Sequence, residues 1–427
     1  MKRISAYPLA SISIGKVSTG KVSTDTMIAS CILLTIFFIS DDTVTFGTNR
    51  NQAFIVFRYI VYVILSIFLF ALLNCRRRVV LYSRKELISI GLLLSSFLTT
   101  VVINIDFRPG YLLQLLTVLF AMLIVKYLEF GRFITYYSLI IYFLSVISLI
   151  VFVISLISPG LLMVFPTTVN FGGTEFINLF LCSVFKETTV FRNTSIFREP
   201  GVYTIYLLFG LIIEFFLKER PDRKRLTACS AALITTFSTS GIFVFAVVAM
   251  GFMFKENKMR NYISILVFLS LVAGVLILVP GISNQFFSKL SPDSSDYFST
   301  IARLSSFIIP LEIFVNNPLA GVGLTNFVTL YSVYSMKLFN IYIDPASAST
   351  NTIVNTFAIF GLFYGALLMY SMLQLSRRIG RATGLNVIVL IAFLMILSSQ
   401  DLRYSLFMNV LFMYGLLNRS VWRSSSL

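Results

Sequence analysis

Apolar runs of up to about 20 residues dominate this chain, and short polar segments separate them. A helix that crosses a bilayer needs roughly 20 predominantly apolar residues, so the pattern predicts membrane-spanning helices. The predicted fold class is all-α, a polytopic integral membrane helical bundle with about twelve transmembrane helices. The predicted spans are 26–40, 53–73, 87–105, 111–128, 133–157, 201–217, 226–238, 240–254, 262–280, 350–373, 385–399 and 404–418.

The charge distribution favours twelve spans over eleven. The alternative is one helix across 226–254 in place of the seventh and eighth spans. With twelve spans and the N-terminus inside, 24 of the 34 lysines and arginines lie in inner segments and nine in outer segments. A single helix would move Lys255, Lys258 and Arg260 to the outer side, against the positive-inside rule.

This topology divides the chain into one membrane domain and two tails. The domain covers 26–418, and the cytoplasmic tails are 1–25 and 419–427. Two long outer loops, 158–200 and 281–349, are predicted to carry any chemistry, because long loops in compact proteins are most often functional.

Composition narrows the possible chemistry. Only 12% of the 427 residues are charged, about half the fraction of a soluble domain. Histidine is absent, which removes the commonest general base and the commonest transition-metal ligand. No nucleotide-binding or zinc motif occurs, so neither a metal nor a cofactor is expected. The net charge of +16 follows the positive-inside rule, and a nucleic-acid partner is not expected.

The first candidate site lies where loop 158–200 re-enters the membrane. Arg192, Arg198 and Glu199 cluster there, just before Pro200. Arginine forks bind diphosphate oxygens in pairs, and a carboxylate at the membrane boundary can accept a proton. The alternative for Glu199 is to cap a helix that starts at Pro200.

The second candidate site lies in loop 281–349. Ile301, Leu304, Ile308, Leu311 and Phe314 recur at spacings of three and four, which predicts an amphipathic interfacial helix kinked at Pro310. Arg303 is predicted to face a polar space, with interfacial snorkelling as the alternative. The Asn317–Leu324 turn follows, and its proline and glycines could simply shape the turn.

Two further groups lie near the last spans. Asn351 lies in the segment 347–352 that opens the tenth span, and it is predicted to bind substrate. The serines and threonines of that segment could instead cap the helix. The glycines within that span, Gly361 and Gly365, are read as sites of close helix packing. Asp401 and Arg403 form a tight outer turn, where a local ion pair is the simpler interpretation.

These segments, in this order, resemble motifs of the O-antigen polymerases, a bacterial membrane family related to the O-antigen ligases. The similar segments are Arg192–Gly201, Phe237–Gly241, Arg303–Leu324 and Ser349–Leu362. The chain departs from the pattern at three positions. Ser195 stands where glycine is usual, Thr239 replaces an arginine, and Thr350 replaces a histidine.

The resemblance implies a metal-independent glycosyltransferase with a C-type-like membrane fold. It would polymerise undecaprenyl-diphosphate-linked O-antigen repeat units at the periplasmic face of the bacterial inner membrane, with both termini cytoplasmic. The implied partners are lipid-linked oligosaccharides, membrane lipid and a chain-length regulator protein. The expected catalytic residues are Glu199, Arg303 and Asp401. The expected substrate-binding residues are Arg192, Arg198, Asn351 and Arg403.

Two other functions remain open at this point. An O-antigen ligase of the same family is expected to carry a histidine in the second loop, which this chain lacks. A flippase or transporter of lipid-linked oligosaccharide is expected to show two similar halves and a charged central cavity. No clear internal repeat is visible, and the charges lie mainly in loops.

Overall fold

The computed structural model describes residues 24–75, 83–186, 192–218, 220–256, 297–381 and 384–417. The helices in this part are α1 Thr24–Phe38, α2 Val44–Gly47, α3 Gln52–Cys75, α4 Arg84–Ile103, α5 Pro109–Tyr127, α6 Phe130–Ile157, α7 Pro200–Ile212, α8 Arg223–Thr235, α9 Thr239–Glu256, α10 Tyr297–Asn316, α11 Gly323–Phe339, α12 Pro345–Ala348, α13 Thr352–Gly380, α14 Asn386–Ser399 and α15 Leu406–Leu416. A 3-10 turn, Pro159–Val164, follows α6, and a π-helical turn, Ile213–Leu217, extends α7.

The helical membrane character is confirmed. Among the described residues, α3, α4, α5, α6, α13, and α7 with its π turn are long and apolar enough to cross a membrane. Shorter apolar helices are α1, α9, α14 and α15. The predicted span 262–280 lies outside the described residues, and the count of twelve stays a prediction.

The predicted separation of the seventh and eighth segments is confirmed at the level of helices. Helix α8 ends at Thr235 and α9 begins at Thr239, so no single helix covers 226–254. Phe237 between them has a φ of 49°, which no α-helix accommodates. The charge pattern identified a break that apolar periodicity alone left ambiguous.

Helix α13 packs against α4, α10, α14 and α15. Gly361 interrupts it with a φ of 76°. The amide of Leu362 therefore donates to Pro318 O (2.8 Å), and Val322 donates to Ala358 O (2.9 Å). A turn from the second long loop is thus inserted into the break and satisfies its backbone groups, which a buried helix break requires.

The glycines at this contact are fixed by backbone geometry. A Cβ on Gly361 would lie 2.2 Å from Leu319 O, and one on Gly321 would lie 2.4 Å from Ile359 O. Thr100 on α4 also donates to Ala320 O at 2.8 Å. The role predicted for the turn glycines, shaping its path, fits this geometry, and Gly361 does more than allow close helix packing.

The first long loop contains a small sheet that was not predicted. Strands β1 Thr167–Val169, β2 Glu175–Asn178 and β3 Ser183–Phe185 pair antiparallel in that order. Each strand is only three or four residues long, too short for its alternation to stand out in sequence. Ser183 on β3 donates from its amide to Ser195 O at 2.6 Å, so the sheet supports the segment carrying the first candidate site.

The predicted helix in the second loop is present as α10, with Pro310 inside it. The buried face of α10 differs from the face formed by the apolar residues at spacings of three and four. Ser305 and Ile309 are buried against the bundle, whereas Leu304 is 52% exposed. Ser305 lies 3.2 Å from the Tyr331 hydroxyl on α11, a helix in a stretch where none was predicted. Packing on α11 and α13 decides the buried face, and helical periodicity cannot anticipate it.

Candidate functional site

The first element of the site is a buried turn, Asn193–Ser195. The Asn193 side chain donates to Thr235 Oγ1 (2.9 Å) and Ser148 Oγ (3.1 Å) and accepts from the Ser195 amide. Ser195 has a φ of 50°, a conformation that glycine adopts most readily. Ser195, at the position where glycine is usual in the resembled family, thus has a backbone conformation that glycine favours. The turn also holds the backbone that leads to Arg198.

Arg192 is tied to the break between α8 and α9. Its Nε donates to Thr236 O (3.2 Å) and its Nη2 to Phe237 O (3.3 Å). Burial lowers the pKa of Arg192, the nearby Arg303 lowers it further, and Glu199 acts in the opposite direction. The guanidinium groups of Arg192 and Arg303 therefore lie near each other.

Arg303 reaches the same place from α10. It is exposed, and its Nη1 donates to Thr239 Oγ1 at 3.5 Å. Thr239 begins α9, an 18-residue helix. Among the described residues, no carboxylate lies within ion-pair distance of Arg192 or Arg303. Guanidinium groups beside a helix N-terminus form an environment that favours an anion.

Glu199 occupies the N-cap position of α7, but its side chain makes no capping hydrogen bond. Its Oε2 instead accepts from Gln400 Nε2 at 3.2 Å, and the residue is exposed. A Cβ on Gly201 would lie 2.8 Å from that same amide nitrogen, so the glycine leaves room for Gln400. The capping interpretation of Glu199 is therefore not what the geometry supports; the carboxylate is open to a ligand.

Arg198 lies in a different environment from Arg192. Its Nη2 donates to Asp401 O (3.0 Å), and its Nη1 lies 4.0 Å from Asp41 Oδ2. Burial acts to lower the pKa of Arg198, but the carboxylates of Asp41 and Asp42 outweigh burial and raise it. This guanidinium is neutralised by the fold, although it was predicted to bind substrate.

Asp42 is a buried carboxylate that the sequence analysis did not assign to the site. Its Oδ2 accepts from the Tyr206 hydroxyl (2.7 Å) and from Ser405 Oγ (2.5 Å). Burial raises the pKa of Asp42, and Arg198 opposes that shift. The sequence signal was present, since Asp41 and Asp42 directly follow the first predicted span, 26–40.

Asp401 and Arg403 form the local ion pair that was the simpler sequence interpretation. Arg403 Nη2 lies 2.6 Å from Asp401 Oδ2, and Nε lies 2.9 Å from Oδ1. Burial acts to lower the pKa of Arg403, and Asp401 outweighs it, so the pKa is raised. Because Asp401 is held in this fork, Glu199 is the more open of the two predicted carboxylates.

Asn351 caps α13. It is buried, and its Oδ1 accepts from the Val354 amide at 3.1 Å. The preceding Thr350 donates to Ser306 Oγ at 3.3 Å, one turn along α10 from Arg303. The start of α13 is thereby brought to the arginine site. Asn355, not predicted, donates to Ser349 Oγ at 2.7 Å and keeps a buried, unpaired Oδ1.

The predicted residues therefore separate into two groups on one side of the bundle. The open group is Arg192, Glu199 and Arg303. The paired or capping group is Arg198, Asn351, Asp401 and Arg403. Among the described residues, no cluster of three or more His, Cys, Asp or Glu side chains is placed to hold a metal ion.

Comparison with known proteins adds no assignment. No family model matches this chain, and no curated protein is significantly similar to it. The functional argument consequently depends on the residues and their geometry.

Proposed function

We propose that this protein is an O-antigen polymerase, which transfers a growing glycan from undecaprenyl diphosphate onto a new lipid-linked repeat unit. The observation that carries the proposal is that Arg192 contacts the turn between α8 and α9, while Arg303 contacts Thr239 at the start of α9. The exposed Glu199 is near enough to Arg192 to oppose the lowering of the pKa of that guanidinium by burial and by Arg303. Two guanidinium groups without carboxylate partners, next to an exposed carboxylate, suit a reaction that releases an anion and removes a proton.

The bond that breaks joins the anomeric carbon to the diphosphate oxygen, and the leaving group gains negative charge. Arg192 and Arg303 would stabilise that charge by paired hydrogen bonds, as preorganised donors do in other active sites. The cationic side chains supply the charge stabilisation that a metal ion supplies elsewhere, which agrees with a metal-independent transfer.

The bond that forms joins the acceptor sugar oxygen to the same carbon, and the hydroxyl must lose a proton. Glu199 is the proposed general base, oriented by Gln400. Arg198 and the Asp401–Arg403 pair are proposed to hold the turn that presents Gln400, rather than to touch the substrate. Asn351 is proposed to fix the start of α13 beside Arg303.

The remaining parts of the proposal concern location and partners. The site is proposed to face the periplasm, with the protein in the inner membrane and both termini in the cytoplasm. The prenyl chain of the substrate would lie in membrane lipid beside the apolar helices. A chain-length regulator is the proposed protein partner.

The test is complementation of a strain that lacks this gene, followed by gel analysis of its lipopolysaccharide. We expect Arg303→Ala, present at wild-type level, to leave one repeat unit per core and no ladder. Arg50→Ala is the matched control, because Arg50 is an exposed outer arginine away from the site, and it should give the full ladder. A normal ladder with Arg303→Ala would contradict the site assignment.

The two alternative functions predict other phenotypes for the deletion strain than a polymerase does. A ligase defect removes all attached repeat units, including the first. A flippase defect removes lipid-linked units from the periplasmic face. Either pattern in the deletion strain would contradict polymerisation.

A further inference from the structure

A small cavity lies next to the Gln400–Arg403 turn and is lined by side chains of α5, α13, α14 and α15. Its volume is about 30 Å³. Its polar lining residues are Gln114, Thr352, Thr356, Tyr364, Arg403 and Asn409. A polar cavity of this size inside an apolar bundle needs an explanation.

Two buried polar atoms of the cavity lining have no hydrogen-bond partner. They are Arg403 Nη1, a donor, and Gln114 Oε1, an acceptor. The Arg403 side chain is only 10% exposed, and Gln114 is 2% exposed. An unsatisfied buried group destabilises a fold, and more so if it is charged, so both atoms indicate that something occupies the cavity.

The chemistry of the two atoms selects the occupant. A metal cation is opposed by the guanidinium of Arg403, and a sugar or a phosphate ester is too large for about 30 Å³. A water molecule accepts from an N–H and donates to a carbonyl oxygen. A cavity of this size holds one or two waters when two to four polar partners are present.

We propose that one or two bound water molecules occupy this cavity and bridge Arg403 Nη1 to Gln114 Oε1. The waters complete the hydrogen bonding of a buried cation whose other nitrogens are held by Asp401. They also lie beside Thr352, which donates to Gln400 O and accepts from the Leu402 amide at 2.9 Å.

The waters thereby help to hold the 400–403 turn in place. That turn carries Gln400, which contacts Glu199, and the Asp401 carbonyl, which accepts from Arg198. The hydration site goes beyond the proposed function and does not depend on it. Only the link from the turn to catalysis through Glu199 rests on the proposed function.

X-ray radiolytic footprinting of the purified full-length protein in detergent tests the proposal, because hydroxyl radicals form at bound waters and oxidise adjacent side chains. Met408 lines the cavity and is 5% exposed. Met372 and Met413 are equally buried at 0% and 1% and do not line the cavity, so they are internal controls. We expect Met408 to oxidise severalfold faster than both. Equal rates at the three methionines would overturn the proposal.

Two variants separate bound water from simple exposure. Gln114→Leu fills space and removes the acceptor, so it should slow Met408 oxidation to the rate of Met372. Gln114→Glu keeps an acceptor near Arg403 and should keep the fast rate. Fast Met408 oxidation in folded Gln114→Leu protein would overturn the assigned bridge. These readouts do not require activity, so failure of the polymerase proposal would leave them unchanged.

Discussion

Two pairs of arginines on the same side of this bundle differ in what surrounds them. Arg198 and Arg403 are partly buried, and each lies beside a carboxylate that neutralises it, Asp41 and Asp401 respectively. Arg192 and Arg303 lie close enough to repel each other and, among the described residues, have no carboxylate within ion-pair distance. Removing a guanidinium that is paired within the fold leaves a charge uncompensated and destabilises the structure, whereas an unpaired guanidinium beside another is available for an anionic ligand.

This contrast yields an expectation that sequence motifs alone could not give. All four arginines are predicted site residues from the sequence, and their residue type is identical. Only the partners differ, and these come from distant parts of the chain, such as Asp41 and the carbonyl of Asp401. Substitutions in one pair should reduce activity, and substitutions in the other should reduce stability.

The largest expected effect is on the carboxylate of the open group. Glu199→Gln removes the proposed base and keeps the size of the side chain, so chain extension should slow by about 10²–10⁴-fold. Reconstituted extension of lipid-linked repeat units measures this rate. The variant should accumulate at wild-type level because Glu199 makes no capping bond. A full extension rate would exclude Glu199 as the base.

The next effect concerns the open arginine of the first loop. Arg192→Ala should lower the extension rate by about 10²–10³-fold, the usual consequence of removing one preorganised donor. Arg192→Lys keeps a charge without the fork and should recover part of the rate. If both variants extend normally, Arg192 serves only to join its loop to the turn at Phe237.

The paired arginines should behave in the opposite way. Arg198→Ala takes away the cation that acts on the buried Asp42 and one of the two cations beside Asp41, whose other partner is Arg58 at 3.0 Å. The loss should be smaller than the roughly 3–5 kcal/mol of a fully buried ion pair, because the Arg198 and Asp41 side chains are 20% and 21% exposed. We expect a lower melting temperature in detergent and a lower protein level. Normal stability with lost activity would move Arg198 into the open group.

The inserted turn gives a smaller, purely structural effect. Gly361→Ala places a Cβ against Leu319 O and forces a residue with a side chain into a φ of 76°. The cost of such a conformation is about 1–3 kcal/mol, before the steric overlap is added. Thermal unfolding measures it, and Gly91→Ala is the control because its Cβ would meet no atom within 4 Å. Equal melting temperatures for the two variants would argue against the insertion of the turn at the Gly361 break.

The smallest effect is a pH dependence at Asp106, which holds the start of α11. Burial acts to raise the pKa of Asp106, but hydrogen bonds from Thr325 and Tyr111 outweigh it and lower the pKa below 3.8. A carboxyl group whose pKa is lower in the folded than in the unfolded protein stabilises the fold at pH values above the unfolded-state pKa. That stability is lost as the pH falls through the folded-state pKa. Asp106→Asn should therefore melt below wild type at neutral pH, and the difference should shrink below about pH 4. A constant difference would contradict this assignment.

Local patterns predicted the helices well and the contacts between them poorly. Apolar runs and charge asymmetry anticipated the break at Phe237 and the helix bearing Arg303. They did not anticipate α11, the small sheet, or the docking of Pro318 against Leu362, because these depend on long-range pairing. The same limit applies to the site, where Arg192 and Arg198 are six residues apart and acquire different partners only on folding.

The most direct test of the central claim is the affinity of purified protein for a short prenyl diphosphate such as farnesyl diphosphate. We expect Arg303→Ala and Arg192→Ala to weaken binding at least tenfold, with affinity falling as salt rises. Arg50→Ala should bind as tightly as wild type. Unchanged affinity in both site variants would contradict the claim that Arg192 and Arg303 receive the diphosphate.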